Sequence, residues 1–249
     1  MGGFECPDWL AYHTNVSGDW EIFRLGDLPD GVTADPNLSR GVGADVSDVM
    51  PSRSPDKKWI TFTSNRDGNW EIYVSAVERS AIQRVTYLPG SIERDPVWSP
   101  TGESIAYESN RDGNWNLYLF NLASGIETRL TESPANDVNI FWSEDGQRMV
   151  FQSDRDGRWQ LYELMVATRQ GRRLSDGIGN DQDAQYSNDD QKIAFRSGRQ
   201  GESSVIYVMN ADGTDVTRIS DAGGYATNLA WSADDNLIAY QSDLDGDND

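Results

Sequence analysis

Four oxygen-bearing side chains recur at one spacing along the chain. Asp95, Asn139, Asp183 and Asn228 follow one another at intervals of 44, 44 and 45 residues, each three residues before a Trp or Tyr. Converging carboxylate and amide oxygens suit a divalent cation or a basic group of a protein partner. The alternative is that each side chain caps its own loop or binds water. We call these four residues the strand a polar series, strand a being the first strand of the repeat described below, and we predict that they bind a partner. Met50 stands at the equivalent position of another repeat.

A second candidate site is the C-terminal segment DLDGDND, residues 243–249. The carboxylates with alternate spacing are Asp243, Asp245, Asp247 and Asp249. This spacing is typical of a calcium loop, but no distant bidentate carboxylate follows it. In other repeats Asp67, Asp112 and Asp156 precede a glycine in the same place, which is a hairpin-turn signal. We therefore predict turn capping for these residues, with calcium binding as the alternative, best supported at the C-terminal copy.

The sequence gives little indication of a catalytic site. His13 is the only histidine and Cys6 the only cysteine, so a Ser-His-Asp or Cys-His arrangement would have to use this N-terminal segment. The GxSxG motif of serine hydrolases does not occur. Among 41 acidic residues some pair always looks suitable for glycoside hydrolysis. We predict no catalytic residues and no enzyme activity, and a carboxylate-based carbohydrate-active enzyme is the alternative.

The elements that position these residues belong to a repeat. SNRDGNWEIY (64–73), SNRDGNWNLY (109–118) and SDRDGRWQLY (153–162) are near copies, and the aromatic residues that precede successive copies are 50, 45, 44, 44 and 45 residues apart. Each repeat reads as four short runs rich in β-branched and aromatic residues, separated by turn signals. We name these strands a to d in chain order, with WSP in strand a, IAF or IAY in strand b, WEIY in strand c and RLT in strand d.

Two large side chains recur around the turn between strands b and c. Strand c is preceded by Trp20, Trp70, Trp115 and Trp159. Their repetition favours packing between repeats over a sugar-stacking surface. The arginines of the turn are Arg66, Arg111 and Arg155. We expect them to pair with nearby acids or to cover Trp faces.

The repeat predicts an all-β fold, a β-propeller of four-stranded blades in a single domain over residues 1–249. Strand b occurs six times and the other strands five times each. We predict five blades with velcro closure, in which residues 229–243 share a blade with residues 20–25. Six blades with an incomplete last one is the alternative. Residues 1–14 are then surplus strand material outside the ring, so a structural protein that self-assembles by strand exchange is a further alternative.

Composition limits the partners. The chain has 249 residues and a formal charge of −20, which disfavours nucleic acid and anionic membrane surfaces. A single cysteine excludes an internal disulfide, and no apolar run is long enough to span a membrane. The N-terminus has no signal-peptide pattern. We therefore predict a protein partner or self-association, with no cofactor apart from possible calcium.

The order of SPDK or SPTGE, IAYESNRDGNW, LY and RLT resembles the TolB-like β-propeller repeats, from about Asp8 to Asp249. This resemblance implies a non-enzymatic, usually exported bacterial protein that binds other proteins at a propeller face. It also implies a periplasmic or extracellular location. Propellers host many unrelated activities, so the resemblance indicates the fold more strongly than the function.

Overall fold

The computed structural model describes residues 10–16, 18–26, 37–39, 45–78, 82–199, 204–220 and 225–243. Regular structure in these ranges consists of β-strands. None of the described residues belongs to a helix of the length and apolar character needed to cross a membrane. The all-β prediction is confirmed.

Four sheets consist of four antiparallel strands in the predicted order a, b, c, d. The first contains β3 (Asp48–Arg53), β4 (Trp59–Ser64), β5 (Glu71–Ala76) and β6 (Ile82–Arg84). The second contains β7 (Glu93–Trp98), β8 (Ser104–Ser109), β9 (Asn116–Asn121) and β10 (Glu127–Arg129). The third contains β11 (Asp137–Trp142), β12 (Arg148–Ser153), β13 (Gln160–Met165) and β14 (Gln170–Arg173). The fourth contains β15 (Asp181–Tyr186), β16 (Lys192–Ser197), β17 (Val205–Asn210) and β18 (Thr217–Arg218).

Two further sheets have two strands each. They pair β1 (Leu10–Thr14) with β2 (Glu21–Leu25), and β19 (Ala226–Trp231) with β20 (Ile238–Ser242). An isolated bridge joins Phe23 of β2 to Asn37. The strand d predicted near residue 32 lies outside the described residues.

The prediction that residues 1–14 are surplus is wrong for Leu10–Thr14. β1 pairs with β2 along its whole length, with Tyr12 opposite Phe23. β1 carries the strand b pattern, and the short connection to β2 makes this local pairing cheap in loop entropy. β1 pairs with the edge of β2 that β20 would occupy in the predicted velcro closure. The velcro closure is therefore not seen among the described residues. The number of blades stays a prediction, and residues 1–9 lie outside the described residues.

The chain divides into two compact units, which we call unit 1 (residues 1–113 and 119–127) and unit 2 (residues 114–118 and 128–249). The core of unit 1 contains a cluster of Ile22, Leu38, Ile60, Phe62, Tyr73 and Val77. The core of unit 2 contains a cluster that includes Val150, Leu161, Ile193, Phe195 and Val205. Three strand b phenylalanines, Phe62, Phe151 and Phe195, lie opposite strand c tyrosines. Burial of one such side chain contributes about 1.5–3 kcal/mol.

Successive sheets are linked at the Trp that precedes strand c. The carbonyl of Trp70 accepts the N–H of Glu93 at 3.0 Å in unit 1, and the carbonyl of Trp159 accepts the N–H of Asp181 at 2.9 Å in unit 2. The side chains of both tryptophans are half-buried. These links join neighbouring sheets through the backbone, and the packing role of the tryptophan side chains stays a prediction.

Candidate binding site

The strand a polar series occupies a special backbone position. Asp95, Asn139, Asp183 and Asn228 all have positive φ, between 50° and 55°, and Met50 shares this conformation with a φ of 55°. At each of them the pairing of strand a with strand b shifts register, which marks a β-bulge. Asn and Asp are the non-glycine residues that tolerate the left-handed region best. The backbone therefore explains the recurrence of these two residue types.

In unit 2 two members of the series meet directly. The Asn139 amide donates to Asp183 Oδ1 at 2.9 Å, and Arg196 Nε donates to Asp183 Oδ2 at 2.6 Å. Arg196 also donates to the hydroxyl of Tyr225 at 2.8 Å and lies over its ring. Both oxygens of Asp183 are thus occupied, and the guanidinium of Arg196 compensates its charge. The amide of Asn228 donates to Gln241 Oε1 at 2.8 Å.

In unit 1 the series is represented by Asp95. Asp95 is half-buried. Burial raises the pKa of Asp95, while the charge of neighbouring Arg94 lowers it. Arg94 forms an ion pair with Glu108 at 2.9 Å.

The single histidine, His13, joins two strands of unit 1. The backbone N–H of Met50 in β3 donates to Nδ1 of His13 in β1 at 3.1 Å. Cys6 lies outside the described residues.

The turn carboxylates Asp67 and Asp156 each accept a tyrosine hydroxyl, and capping of their own turns stays a prediction. Asp67 Oδ2 accepts the hydroxyl proton of Tyr73, and Asp156 Oδ2 that of Tyr162, both at 2.6 Å. At the C-terminus Asp243 accepts a hydrogen bond from the backbone N–H of Tyr225. The predicted calcium ligands Asp245, Asp247 and Asp249 lie outside the described residues. Within the described residues no three His, Cys, Asp or Glu side chains are grouped to hold a metal ion.

Sequence reasoning missed a set of buried acids at the start of strand a. The four ion pairs are Arg66–Asp48 at 2.9 Å, Arg111–Glu93 at 3.6 Å, Arg155–Asp137 at 2.9 Å and Arg199–Asp181 at 2.9 Å. All four acids are fully buried. The expected pairing of the turn arginines is confirmed, but they cover Phe and Tyr rings such as Phe62 and Tyr73 rather than Trp. The 45, 44 and 44 residue spacing of the acids was the signal that could have found them.

The comparisons with known proteins agree on the fold. Residues 89–175 match the family model described as the TolB beta propeller domain. A putative TolB from Agrobacterium tumefaciens is 23% identical with a TM-score of 0.66, over 85% of this chain and 76% of that chain. TolB from Acinetobacter baumannii is 20% identical with a TM-score of 0.61, over 93% of this chain and 62% of that one. An oligogalacturonate lyase from Vibrio parahaemolyticus is 16% identical with a TM-score of 0.65, over 83% of this chain and 62% of the lyase.

The search among curated proteins gives no match. The chain spans about six tenths of the length of the Acinetobacter TolB and of the Vibrio lyase. At such identities the solved structures establish the fold, and they include TolB proteins and an oligogalacturonate lyase alike. Residues 89–175 thus match the TolB beta propeller domain, and over most of its length the chain shares the β-propeller fold of TolB-like structures.

Proposed function

We propose that the protein is a non-enzymatic protein-binding module, and that its partner contacts the unit 2 members of the strand a polar series, Asn139, Asp183 and Asn228. The proposal includes a periplasmic or extracellular location, on the basis of the likeness to TolB. It is carried by the network of Asn139, Asp183, Arg196 and Tyr225, which presents hydrogen-bonding groups beside an exposed aromatic ring.

The exposure and chemistry of this network suit a protein surface. Tyr225 is 47% exposed, and Asn139 and Asn228 are also exposed. Tyr and Arg are enriched among the residues that contribute most to protein interfaces, because they combine apolar area with hydrogen bonding. Ion pairing with Arg196 makes Asp183 a poor ligand for a free cation, so hydrogen bonding to a partner is favoured over metal binding. The overall charge of −20 would speed encounter with a basic partner.

The repeated acids give no support to the enzyme alternative. Asp137 and Asp181 are buried in ion pairs with Arg155 and Arg199, and Asp67 and Asp156 bind tyrosine hydroxyls. Carboxylates engaged in this way hold the sheets together. A carbohydrate-active enzyme instead needs two carboxyl groups free to reach a glycosidic bond.

The test removes the three unit 2 members of the series without straining the backbone. Glycine accepts positive φ, so Asn139→Gly/Asp183→Gly/Asn228→Gly deletes three side chains and keeps the bulges. Asp215→Gly is the matched control, because Asp215 has a φ of 55° outside the series. Proteins from the source organism are cross-linked to each variant and quantified by mass spectrometry. We expect specific partners on the wild type and the control that are lost from the triple variant.

Two results would contradict the proposal. The first is a set of partners that the triple variant retains in full, which would move the interface elsewhere. The second is turnover of oligogalacturonate by the purified wild type, which would favour the enzyme alternative. Circular dichroism of each variant shows whether the fold is kept.

A further inference from the structure

A cavity of about 560 Å³ lies in unit 1, outside the site described above. We call it the unit 1 cavity and define it by Trp59, Val74, Gln83, Trp98, Gly102 and Phe120. Its volume lies within the roughly 300–1,000 Å³ of small-molecule sites, which are mostly apolar with a few polar groups. The aromatic walls come from the first residue of β4, the last residue of β7 and the end of β9.

Unit 2 shows what the same repeat positions do elsewhere in the chain. By strand position and register, Arg148 replaces Trp59, Glu163 replaces Val74, Arg172 replaces Gln83 and Asp190 replaces Gly102. All four unit 2 residues are charged, and all four unit 1 residues are neutral. The same repeat positions therefore carry neutral side chains in unit 1 and charged side chains in unit 2.

The charged residues of unit 2 are joined to one another. Glu163 is 2.7 Å from Arg172 and 3.6 Å from Arg148, and it accepts the Tyr186 hydroxyl at 2.9 Å. Arg148 is also 3.6 Å from Asp190. This network fills the groove with the chain's own side chains, so the groove is a structural junction in unit 2.

A backbone link is also changed in unit 1. The carboxylate of Asp190 accepts the backbone N–H groups of Glu144 at 2.7 Å and Asp145 at 3.1 Å. The unit 1 counterparts of Asp190 and Glu144 are Gly102, which has no side chain, and Pro55, which has no N–H. The link cannot form there, and the ring of Pro55 lies beside Gly102, with Pro55 Cδ 3.8 Å from where a β-carbon of residue 102 would stand.

The charges beside the unit 1 cavity are compensated within the chain. Arg84 lies 2.6 Å from buried Glu71 and 3.5 Å from Asp67. Asp56 accepts hydrogen bonds from Ser54 Oγ and the Lys58 N–H, and the charge of Lys58 also lowers the pKa of Asp56. A charged ligand would have to compete with these partners. A neutral ligand gains the apolar contact without that cost.

From these contrasts we propose that the unit 1 cavity binds a neutral, ring-bearing small molecule. Trp59, Trp98 and Phe120 supply flat apolar surface for its ring, and Gln83 and Thr101 supply hydrogen-bonding groups at the wall. This site is separate from the strand a polar series. The two proposals therefore stand or fall independently.

The test uses two fluorescent probes with the same rings. N-Phenyl-1-naphthylamine is neutral, and 1-anilinonaphthalene-8-sulfonate carries a sulfonate. The variant Trp59→Arg/Val74→Glu/Gln83→Arg copies the unit 2 residues into the cavity, and Gly102→Asp copies Asp190 at a φ of 72°, against 59° for Asp190. The control Ile126→Arg/Ile178→Glu places the same kinds of charge on two residues that are 61% and 58% exposed.

We expect saturable binding of the neutral probe to the wild type and the control, with at least a tenfold loss in the triple variant and in Gly102→Asp. The sulfonated probe should bind the wild type at least tenfold more weakly than the neutral one. Equal binding of the neutral probe to all four proteins would overturn the cavity assignment. Equal binding of both probes to the wild type would overturn the neutral ligand class. If the triple variant does not fold, Gly102→Asp alone decides the assignment.

Discussion

At the scale of single residues, a recurring polar side chain can have a backbone cause and a chemical use together. Asp95, Asn139, Asp183 and Asn228 share a left-handed bulge position, which selects Asn and Asp whatever they bind. Met50 stands in the same conformation without that tolerance. The chemistry of the series therefore has to be judged from its contacts, such as those of Asp183 with Asn139 and Arg196.

The first prediction concerns the strain at Met50. A left-handed conformation costs an ordinary residue about 1–2 kcal/mol, and asparagine adopts it routinely. Met50→Asn should raise the free energy of unfolding by about 1 kcal/mol, measured by urea denaturation. Asn139→Met is the reverse change at an equivalent bulge, and it should lower stability by more than this, because it also removes the hydrogen bond to Asp183. A Met50→Asn protein less stable than the wild type would show that contacts of the Met50 side chain outweigh the strain.

The second prediction concerns two buried glutamates of unit 1 with opposite pKa shifts. Burial raises the pKa of Glu93, and the charge of Glu71 adds to this. Burial acts on Glu71 too, but hydrogen bonds from Thr86, Leu88 and Asn69 outweigh it and lower the pKa of Glu71. Folding therefore favours the protonated form of Glu93 and the ionised form of Glu71.

The two glutamates should give pH profiles of opposite sign. The contribution of Glu93 is present below the ordinary pKa of 4.5 and is lost as pH rises through its raised value. The contribution of Glu71 to stability is present above pH 4.5 and is lost as the pH falls through the lowered pKa of Glu71. Relative to Glu93→Gln, the wild type should lose stability as pH rises, and relative to Glu71→Gln it should lose stability as pH falls. Chemical denaturation between pH 3 and 8 measures both, and parallel profiles would refute the assignment.

At the scale of elements, each of the four-stranded sheets joins the start of strand a to the turn between strands b and c with a buried ion pair. Arg199 is 6% exposed and Asp181 is fully buried, whereas Arg155 is 32% exposed beside Asp137. Removing one partner of a buried pair leaves an uncompensated charge in the interior.

The third prediction follows from this difference in exposure. Arg199→Met should lower the free energy of unfolding by about 3 kcal/mol, and Arg155→Met should cost less because water reaches that pair. Adding Asp181→Asn to Arg199→Met should restore part of the loss, since it removes the stranded charge. Thermal and urea unfolding of the four proteins measures these effects. Equal losses for the two arginine variants would mean that burial does not control the strength of the pair.

The strands were predictable from sequence because their cause is local. Alternating apolar residues and the Asp-Gly turns, with Gly68 at a φ of 98°, specify a hairpin within ten residues. The buried acids were missed, because an acidic residue is expected at the surface unless a partner distant in sequence is known, such as Arg66 for Asp48. The pairing of β1 with β2 was missed because two strands, β1 and β20, carry the same strand b pattern. Sequence alone does not say which of them β2 selects.

At the scale of the whole molecule, near-identical repeats have diverged at selected places. Apolar and turn residues repeat closely in both units. At the first position of strand b, however, Trp59 of unit 1 and Arg148 of unit 2 differ in charge and size. Neighbouring sheets need only match each other, so a repeat protein can change one groove without disturbing the rest. This freedom accounts for a closed ionic junction in unit 2 and an open apolar cavity in unit 1.

The last prediction concerns the net charge of −20. Like charges over the whole surface destabilise the compact state, and salt screens this repulsion with a Debye length of about 8 Å at 0.15 M. The buried ion pairs are screened much less, so the melting temperature should rise between 10 and 150 mM sodium chloride and then level off. Calcium at matched ionic strength is the control. A further rise with calcium that is lost in Asp243→Asn/Asp245→Asn would assign a cation site to the C-terminal segment. A melting temperature that falls with sodium chloride would show that exposed ion pairs outweigh the net repulsion.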